Sequence, residues 1–231
     1  MGVNVVSFSV WGTDRHIYTY GVLDNCIYIK QHMPDYEVWV YTNSSLPIPI
    51  RDCLQELGNV KIITMTEEDT LRNTMWRMLP AFDPTVNILL VRDADSRIGV
   101  RELAAVAEWL KSDKPFHIMR DHNKQRMRIL GGMWGCRDGV IRHLKPLYYE
   151  MMNSSAPWIY GTDEAFLAKS IYPVVVYQAF VHAPWNAYET HARPFPTARD
   201  SDIRFVGMPI RNVRYITQMF PGLSVPSLKK P

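Results

Sequence analysis

Val86-Asn87-Ile88-Leu89-Leu90-Val91-Arg92-Asp93-Ala94-Asp95-Ser96-Arg97 decides how the rest of the chain is read. A short apolar run rich in β-branched and leucine residues follows Pro84, as in a buried strand. It stops at a charged loop with two aspartates one residue apart. Alternate residues of an extended segment point the same way, so both carboxylates can face one site. Such a pair beside the carboxyl end of a strand suits a hard divalent cation that also holds phosphate oxygens. In open α/β sheets that edge is where ligands sit. The same two aspartates also suit a plain turn, where Asp is favoured for backbone reasons.

Working back from this loop, Asn4 to Val10 reads as the first strand, ending at Trp11-Gly12-Thr13-Asp14-Arg15. A strand opening into such a loop is where an α/β protein meets a nucleotide, or is a simple β-to-α connection. Gly21 to Gln31 predicts a helix, Glu37 to Tyr41 a strand, Arg51 to Leu57 a short helix closed by Gly58, and Val60 to Met65 a third strand. Thr66-Glu67-Glu68-Asp69 predicts a helix start, with acidic residues where the helix dipole favours them. Its apolar stripe is Leu71, Met75, Met78 and Leu79. Trp76 and Arg77 point about 100° apart on a helix, so at most one faces the core. Arg77 is either a solvated residue or one that reaches over the sheet edge toward a phosphate.

Forward of the loop, Arg101 to Lys111 predicts a helix stopped by Pro115, and Phe116 to Met119 a short strand. The Ile129–Cys136 stretch holds three glycines and a Trp, as where backbone approaches something closely, without the order of a dinucleotide fingerprint. Asp138 is placed to cap a helix running to about Met152. Gly161 to Leu167 predicts another short helix, with Asp163 either capping it or held at its start and aimed outward. Val174 to Tyr177 is β-like. After Ala192 the Pro- and Arg-rich chain has no strong period and is expected to wrap the core as an irregular arm over 192–231. Strand–helix alternation to about Tyr177, with no linker or repeat, implies one α/β domain over 1–231 with a mostly parallel sheet.

Composition sets bounds. The chain has 231 residues, 47% hydrophobic and 21% charged, as in an ordinary globular core. A formal charge of +3 with scattered basic residues gives no case for nucleic acid. Cys26, Cys53 and Cys136 lack metal spacing and read as reduced thiols. The first residues lack the pattern of a secretory signal, and no apolar run reaches the roughly 18 residues of a membrane span. A cytoplasmic setting is expected.

Five ordered blocks carry a resemblance: Trp76-Arg77, Arg92 to Arg97 (Arg-Asp-x-Asp-Ser-Arg), Arg101 to Trp109, His117 to His122 (His-x-Met-Arg-Asp-His) and Gly131 to Gly135. With them the chain resembles small glycosyltransferases of the GT-A fold over roughly Trp76 to His182, and a viral rhamnosyltransferase domain is similar. The resemblance implies a single Rossmann-like domain that uses a UDP- or GDP-sugar donor, a carbohydrate or glycan acceptor and Mn²⁺ or Mg²⁺. Asp93 and Asp95 match the Asp-x-Asp metal motif, and His182 falls where a further ligand often sits, though Ala183 follows it where an acidic residue is expected. Asp163, with Glu164 as its nearest rival, falls where inverting members place the base. Trp11, Gly12, Asp14 and Arg15 match the base and ribose site. Gly131 and Gly132 would lie between donor and acceptor, and Arg77 or Arg92 would add positive contacts to the donor. Competing readings are a nucleotidyltransferase, a phosphatase of the haloacid-dehalogenase type, and a binding module without turnover.

Overall fold

The computed structural model describes residues 2–12, 16–185, 187–199 and 204–210. Seven strands form one sheet: β1 (Val3–Ser9), β2 (Tyr36–Thr42), β3 (Val60–Thr64), β4 (Val86–Arg92), β5 (Phe116–Met119), β6 (Met133–Arg137) and β7 (Ala179–His182). Their order is β3-β2-β1-β4-β6-β5-β7. All neighbours are parallel except β6, which runs antiparallel to both β4 and β5. The expectation of a mostly parallel α/β sheet holds. The chain steps outward from β1 to β3 and then returns to the other side of β1 as β4. The carboxyl ends of β1 and β4 therefore flank a topological switch point, where a crevice opens.

Strand alternation divides the core. Val6, Phe8, Val38, Val40 and Leu90 face α1 (His16–His32), α2 (Ile48–Glu56) and α3 (Val100–Leu110). Val5, Trp39, Tyr41, Leu89 and Val91 face the opposite layer. That layer comprises a 3₁₀ helix over Leu71–Phe82, α4 (Lys145–Asn153) and a helical run that begins with α5 (Thr162–Phe166) and ends in α6 (Tyr172–Val175). Period-two side chains thus cover both faces, as a sheet between helical layers requires. No helix among the described residues is long and apolar enough to cross a membrane.

Three local expectations are corrected. The acidic stretch at Thr66 is not a helix start; the 3₁₀ helix begins after Thr70, whose hydroxyl accepts the Arg72 N–H. Side-chain amides hold the stretch as a loop instead, Asn43 donating to Glu67 O and Asp69 Oδ1, and Asn73 to Glu68 O. Asp138 caps nothing: it and Gly139 both have positive φ, which breaks a helix, and α4 starts only at Lys145 with Pro146 in its first turn. The β-like Val174–Tyr177 segment is helical, because Val175 and Tyr172 pack into the core and tertiary contacts outweigh β propensity. The strand follows it, as β7.

Candidate functional site

At the switch point, Ser9 ends β1 and its hydroxyl accepts the backbone N–H of Arg77 at 2.8 Å. That contact seats the 3₁₀ helix over the sheet edge. Trp76 enters the core and meets Trp11 edge-on at 6.1 Å. Both Trp76 and Arg77 are buried, contrary to the expectation that only one would face inward. Arg77 remains useful because its tip emerges at the crevice. Its Nη1 lies 2.6 Å from Asp93 Oδ1 and its Nη2 3.0 Å from Asp163 Oδ2. One guanidinium thus joins the loop after β4 to the first turn of α5.

The glycines of the Gly131-Gly132 pair touch this cluster. A Cβ on Gly132 would stand 2.4 Å from the Asp93 carboxylate, and one on Gly131 would stand 2.4 Å from Arg77 Nη2. Any side chain at either position would displace the cluster. The Gly131 N–H also donates to Glu164 Oε1 at 3.3 Å.

Above the cluster lies a cavity of about 750 Å³. Val10, Trp11, Tyr18, Leu71 and Thr74 line its β1 side, and Leu130, Met133, Phe205, Gly207 and Pro209 its β6 side. Among the described residues, its charged lining is Asp93, Asp95, Asp163 and Glu164 against Arg77 and Lys124. Burial pushes Asp95 up to about 6, with the neighbouring Asp93 carboxylate adding to the effect. Burial likewise pushes Glu164 up to about 7, opposed by the Gly131 N–H and reinforced by Asp163 and Asp93. For Arg77 burial works against the charge, yet the four carboxylates outweigh it and raise its affinity for the proton. The carboxylate excess is costly, and a bound cation would relieve it.

The ion pairs of Arg77 go to Asp93 and Asp163 and not to Asp95. No group of three or more His, Cys, Asp or Glu side chains forms a ready cage among the described residues. This donor set suits Mg²⁺ or Mn²⁺, which take one or two carboxylates and complete their shell with phosphate oxygens and water.

Two expected members lie elsewhere. Arg92 is 1% exposed and points into the core, bonded to Glu102 and to the carbonyls of Val91 and Trp134. It cannot contact a donor. His182 is fully buried at the end of β7, its Nδ1 2.8 Å from His117 Nε2 and its Nε2 3.2 Å from Glu108 Oε2. It does not line the cavity and joins neither aspartate. Trp11 lines the cavity, and the Gly12 N–H donates to Ser45 Oγ. Asp14 and Arg15 fall outside the described residues. Asp163 is not a helix cap: Gly161 holds that position in a left-handed conformation, and Asp163 turns to Arg77.

Several lining residues escaped the sequence reading: Tyr18, Lys124, Gln125, Tyr160, Phe205 and Pro209. Tyr160 had a signal. It closes the apolar run Trp158-Ile159-Tyr160 between Pro157 and Gly161, and it is 93% exposed. Phe205 and Pro209 had none, since they sit in a segment without period.

The sheet order, the antiparallel β6 and the aspartate loop at the switch point define the GT-A fold, the architecture of many nucleotide-sugar glycosyltransferases. Two solved structures with a TM-score above 0.5 share this fold. A glycosyltransferase involved in the glycosylation of the major capsid of PBCV-1 is 15% identical at a TM-score of 0.52, the match covering 79% of this chain and 82% of that one. A mannosyltransferase from Pyrobaculum calidifontis, solved with GDP-Man and Mn²⁺, is 13% identical at a TM-score of 0.52, covering 80% of this chain and 56% of that one. A 4-diphosphocytidyl-2C-methyl-D-erythritol synthase from Anaerococcus prevotii matches at a TM-score of 0.49 and 14% identity, covering 80% and 91%. No protein-family model matches the sequence, and no curated protein sequence matches it significantly.

Proposed function

We propose that this chain is a metal-dependent glycosyltransferase that moves a sugar from a UDP- or GDP-sugar to a hydroxyl of a carbohydrate acceptor, with inversion. The observation that carries this reading is the excess of carboxylates around Arg77 at the switch point of a GT-A sheet. A pocket with four carboxylates and two cations repels a nucleoside diphosphate, so anionic donors need a divalent ion to bind there. Asp95, with Asp93, would hold Mn²⁺ or Mg²⁺. When bound, that ion supplies Lewis-acid neutralisation of the diphosphate leaving group.

The chain's own residues do the rest. Trp11 and Tyr18 take the nucleoside on the β1 side of the cavity. Arg77 fixes Asp93 and Asp163 in one frame, Gly132 makes room for Asp93, and Gly131 at the cavity wall lets the sugar approach the backbone. Glu164 takes the proton of the acceptor hydroxyl as it attacks the anomeric carbon, where positive charge develops. Glu164 suits this better than Asp163, because Asp163 is committed to Arg77 while Glu164 titrates near neutrality. The order of motif blocks shared with a viral rhamnosyltransferase domain belongs to the same reading, without fixing the sugar.

The test is a thermal-shift panel of UDP and GDP with and without Mn²⁺, followed by an assay for nucleoside diphosphate released from the sugar donors. Wild-type protein is expected to shift only with nucleotide and metal together, and Asp95→Asn is expected to lose that shift and the release. A shift unchanged in Asp95→Asn, or none in wild type, would overturn the metal-dependent reading.

A further inference from the structure

The His117–His122 block takes no direct part in the site, yet it contains a heavily bonded buried acid. Asp121 is fully buried and accepts from Arg101 through Nε at 2.9 Å and Nη2 at 2.8 Å, from Arg199 Nη2 at 3.1 Å, and from the Val206 N–H at 3.0 Å. Arg199 also donates to the Asp121 carbonyl. Two of these donors, Arg199 and Val206, belong to the arm that follows β7. The Asp121 N–H donates to Gln125 Oε1, and Gln125 Nε2 donates to Val206 O at 2.9 Å. The next residue, His122, stacks on Phe205 with ring centroids 4.3 Å apart.

The segment so fastened is part of the cavity wall. Phe205, Gly207 and Pro209, at every second position, line the cavity, while Val206 packs in a small core with Met119, Met133 and Phe195. Gly207 has φ +79°, and a Cβ there would stand 2.6 Å from Met133 Sδ, so the segment presses on the start of β6. At its far end the Ile210 N–H donates to Asp95 O at 2.7 Å. The strap therefore runs from Asp121 over β6 to the aspartate loop. Since β4 lies between β1 and β6, it stands across that loop from Trp11 and Tyr18.

We propose that Asp121 is a positioning residue for substrate: it fastens residues 204–210 as the wall that the transferred sugar packs against, beyond the diphosphate from the nucleoside. This rests on the proposed function for the identity of the ligand. An aspartate accepting four N–H groups and facing two guanidinium groups is a strong fastener, because its removal leaves Arg101 and Arg199 facing each other without a counter-charge.

The experiment uses the full chain carrying Asp121→Asn, with Arg199→Gln as a milder variant that leaves the Arg101 pair in place. Hydrogen exchange at the amides of Val206 and Ile210 is read beside two binding measurements. Exchange is expected to quicken in both variants. The KM for the sugar nucleotide is expected to rise about tenfold in Asp121→Asn, while the affinity for the nucleoside diphosphate with Mn²⁺ changes by less than about twofold. Phe205→Ala is expected to raise the same KM, and the double variant to add less than the product of the two. Parallel losses in both affinities, an unchanged KM with the strap released, or full additivity with Phe205→Ala would overturn the proposal. If wild-type protein binds no nucleotide, the functional reading fails and the sugar role fails with it; the exchange data then still decide whether Asp121 holds the wall.

Discussion

Arg92 closes β4 with one carboxylate, Glu102, and two backbone carbonyls around it, whereas Arg77 stands a few ångströms from the next loop with carboxylates crowding it from both sides. Both arginines are buried. The first is electrically balanced and sealed, 1% exposed beside a Glu102 that is 3% exposed. The second is outnumbered, and its surplus of negative charge faces a cavity. A balanced buried pair holds structure in place. An unbalanced one at a cavity is tolerated only if something else completes it, which is the electrostatic mark of a binding site.

The sharpest way to break that contrast is to make the same chemical change on each side of it. Glu102→Gln leaves Arg92 buried without a counter-charge and should cost about 3–5 kcal/mol, lowering Tm by roughly 6–20 °C. Asp95→Asn removes one of several crowded carboxylates and should leave the metal-free Tm equal or slightly higher. Thermal unfolding of both variants in chelator checks this. Equal losses would mean that the Arg77 cluster is as structural as the Arg92 pair.

The sequence showed one side of this contrast more clearly than the other. The Asp-x-Asp loop was legible because strand, breaker and charge follow one another within a dozen residues, and period-two alternation made the sheet readable. Arg92 and Arg77 were not separable, because only packing reveals which guanidinium Glu102 captures. His182 was misplaced for a related reason: a histidine at a strand end looks available until its neighbours, His117 and Glu108, are known. The strap wall was invisible. Phe205, Gly207 and Pro209 are recruited by contacts with residues far back in the chain, such as Asp121 and Asp95, and no local pattern encodes those.

A smaller effect separates the two acids of α5, one paired with Arg77 and one not. If Glu164 accepts the acceptor proton, kcat/KM should rise with pH through about 7, since the base works only when deprotonated. Glu164→Gln should lower turnover by about 10²-fold or more and flatten that limb, with nucleotide affinity little changed. Asp163→Asn should instead loosen the Arg77 frame, weakening donor binding as well as turnover while the limb persists. A pH–rate series on the three proteins decides it. A limb that survives Glu164→Gln and vanishes in Asp163→Asn would exchange their roles.

The smallest effect is thermodynamic and needs no substrate. Asp95 and Glu164 are held above their ordinary values of 3.8 and 4.5, at about 6 and about 7, so the folded protein binds protons there more readily than the unfolded chain. Between about pH 4.5 and 7 the native state then carries the extra protons, and stability should fall as pH rises through that window. Asp121 has the opposite sign: the arginines and the Val206 N–H overcome its burial and hold it below 3.8, so its contribution is present above the ordinary carboxylate value and is lost only in stronger acid. In chelator, wild-type Tm is therefore expected to fall by a few degrees relative to that of Glu164→Gln from pH 5.5 to pH 7.5, since buried His117 and His182, held below 6.5, shift stability the opposite way equally in both proteins. Saturating Mn²⁺ with nucleoside diphosphate should erase or reverse that difference, because the cation removes the penalty on the charged carboxylates. The Arg92 pair offers no cation a place, so Glu102→Gln should keep the metal response while lowering every Tm. If wild type and Glu164→Gln instead follow the same course in chelator from pH 5.5 to 7.5, the crowding around Arg77 is relieved within the protein itself, and the contrast with Arg92 loses its meaning.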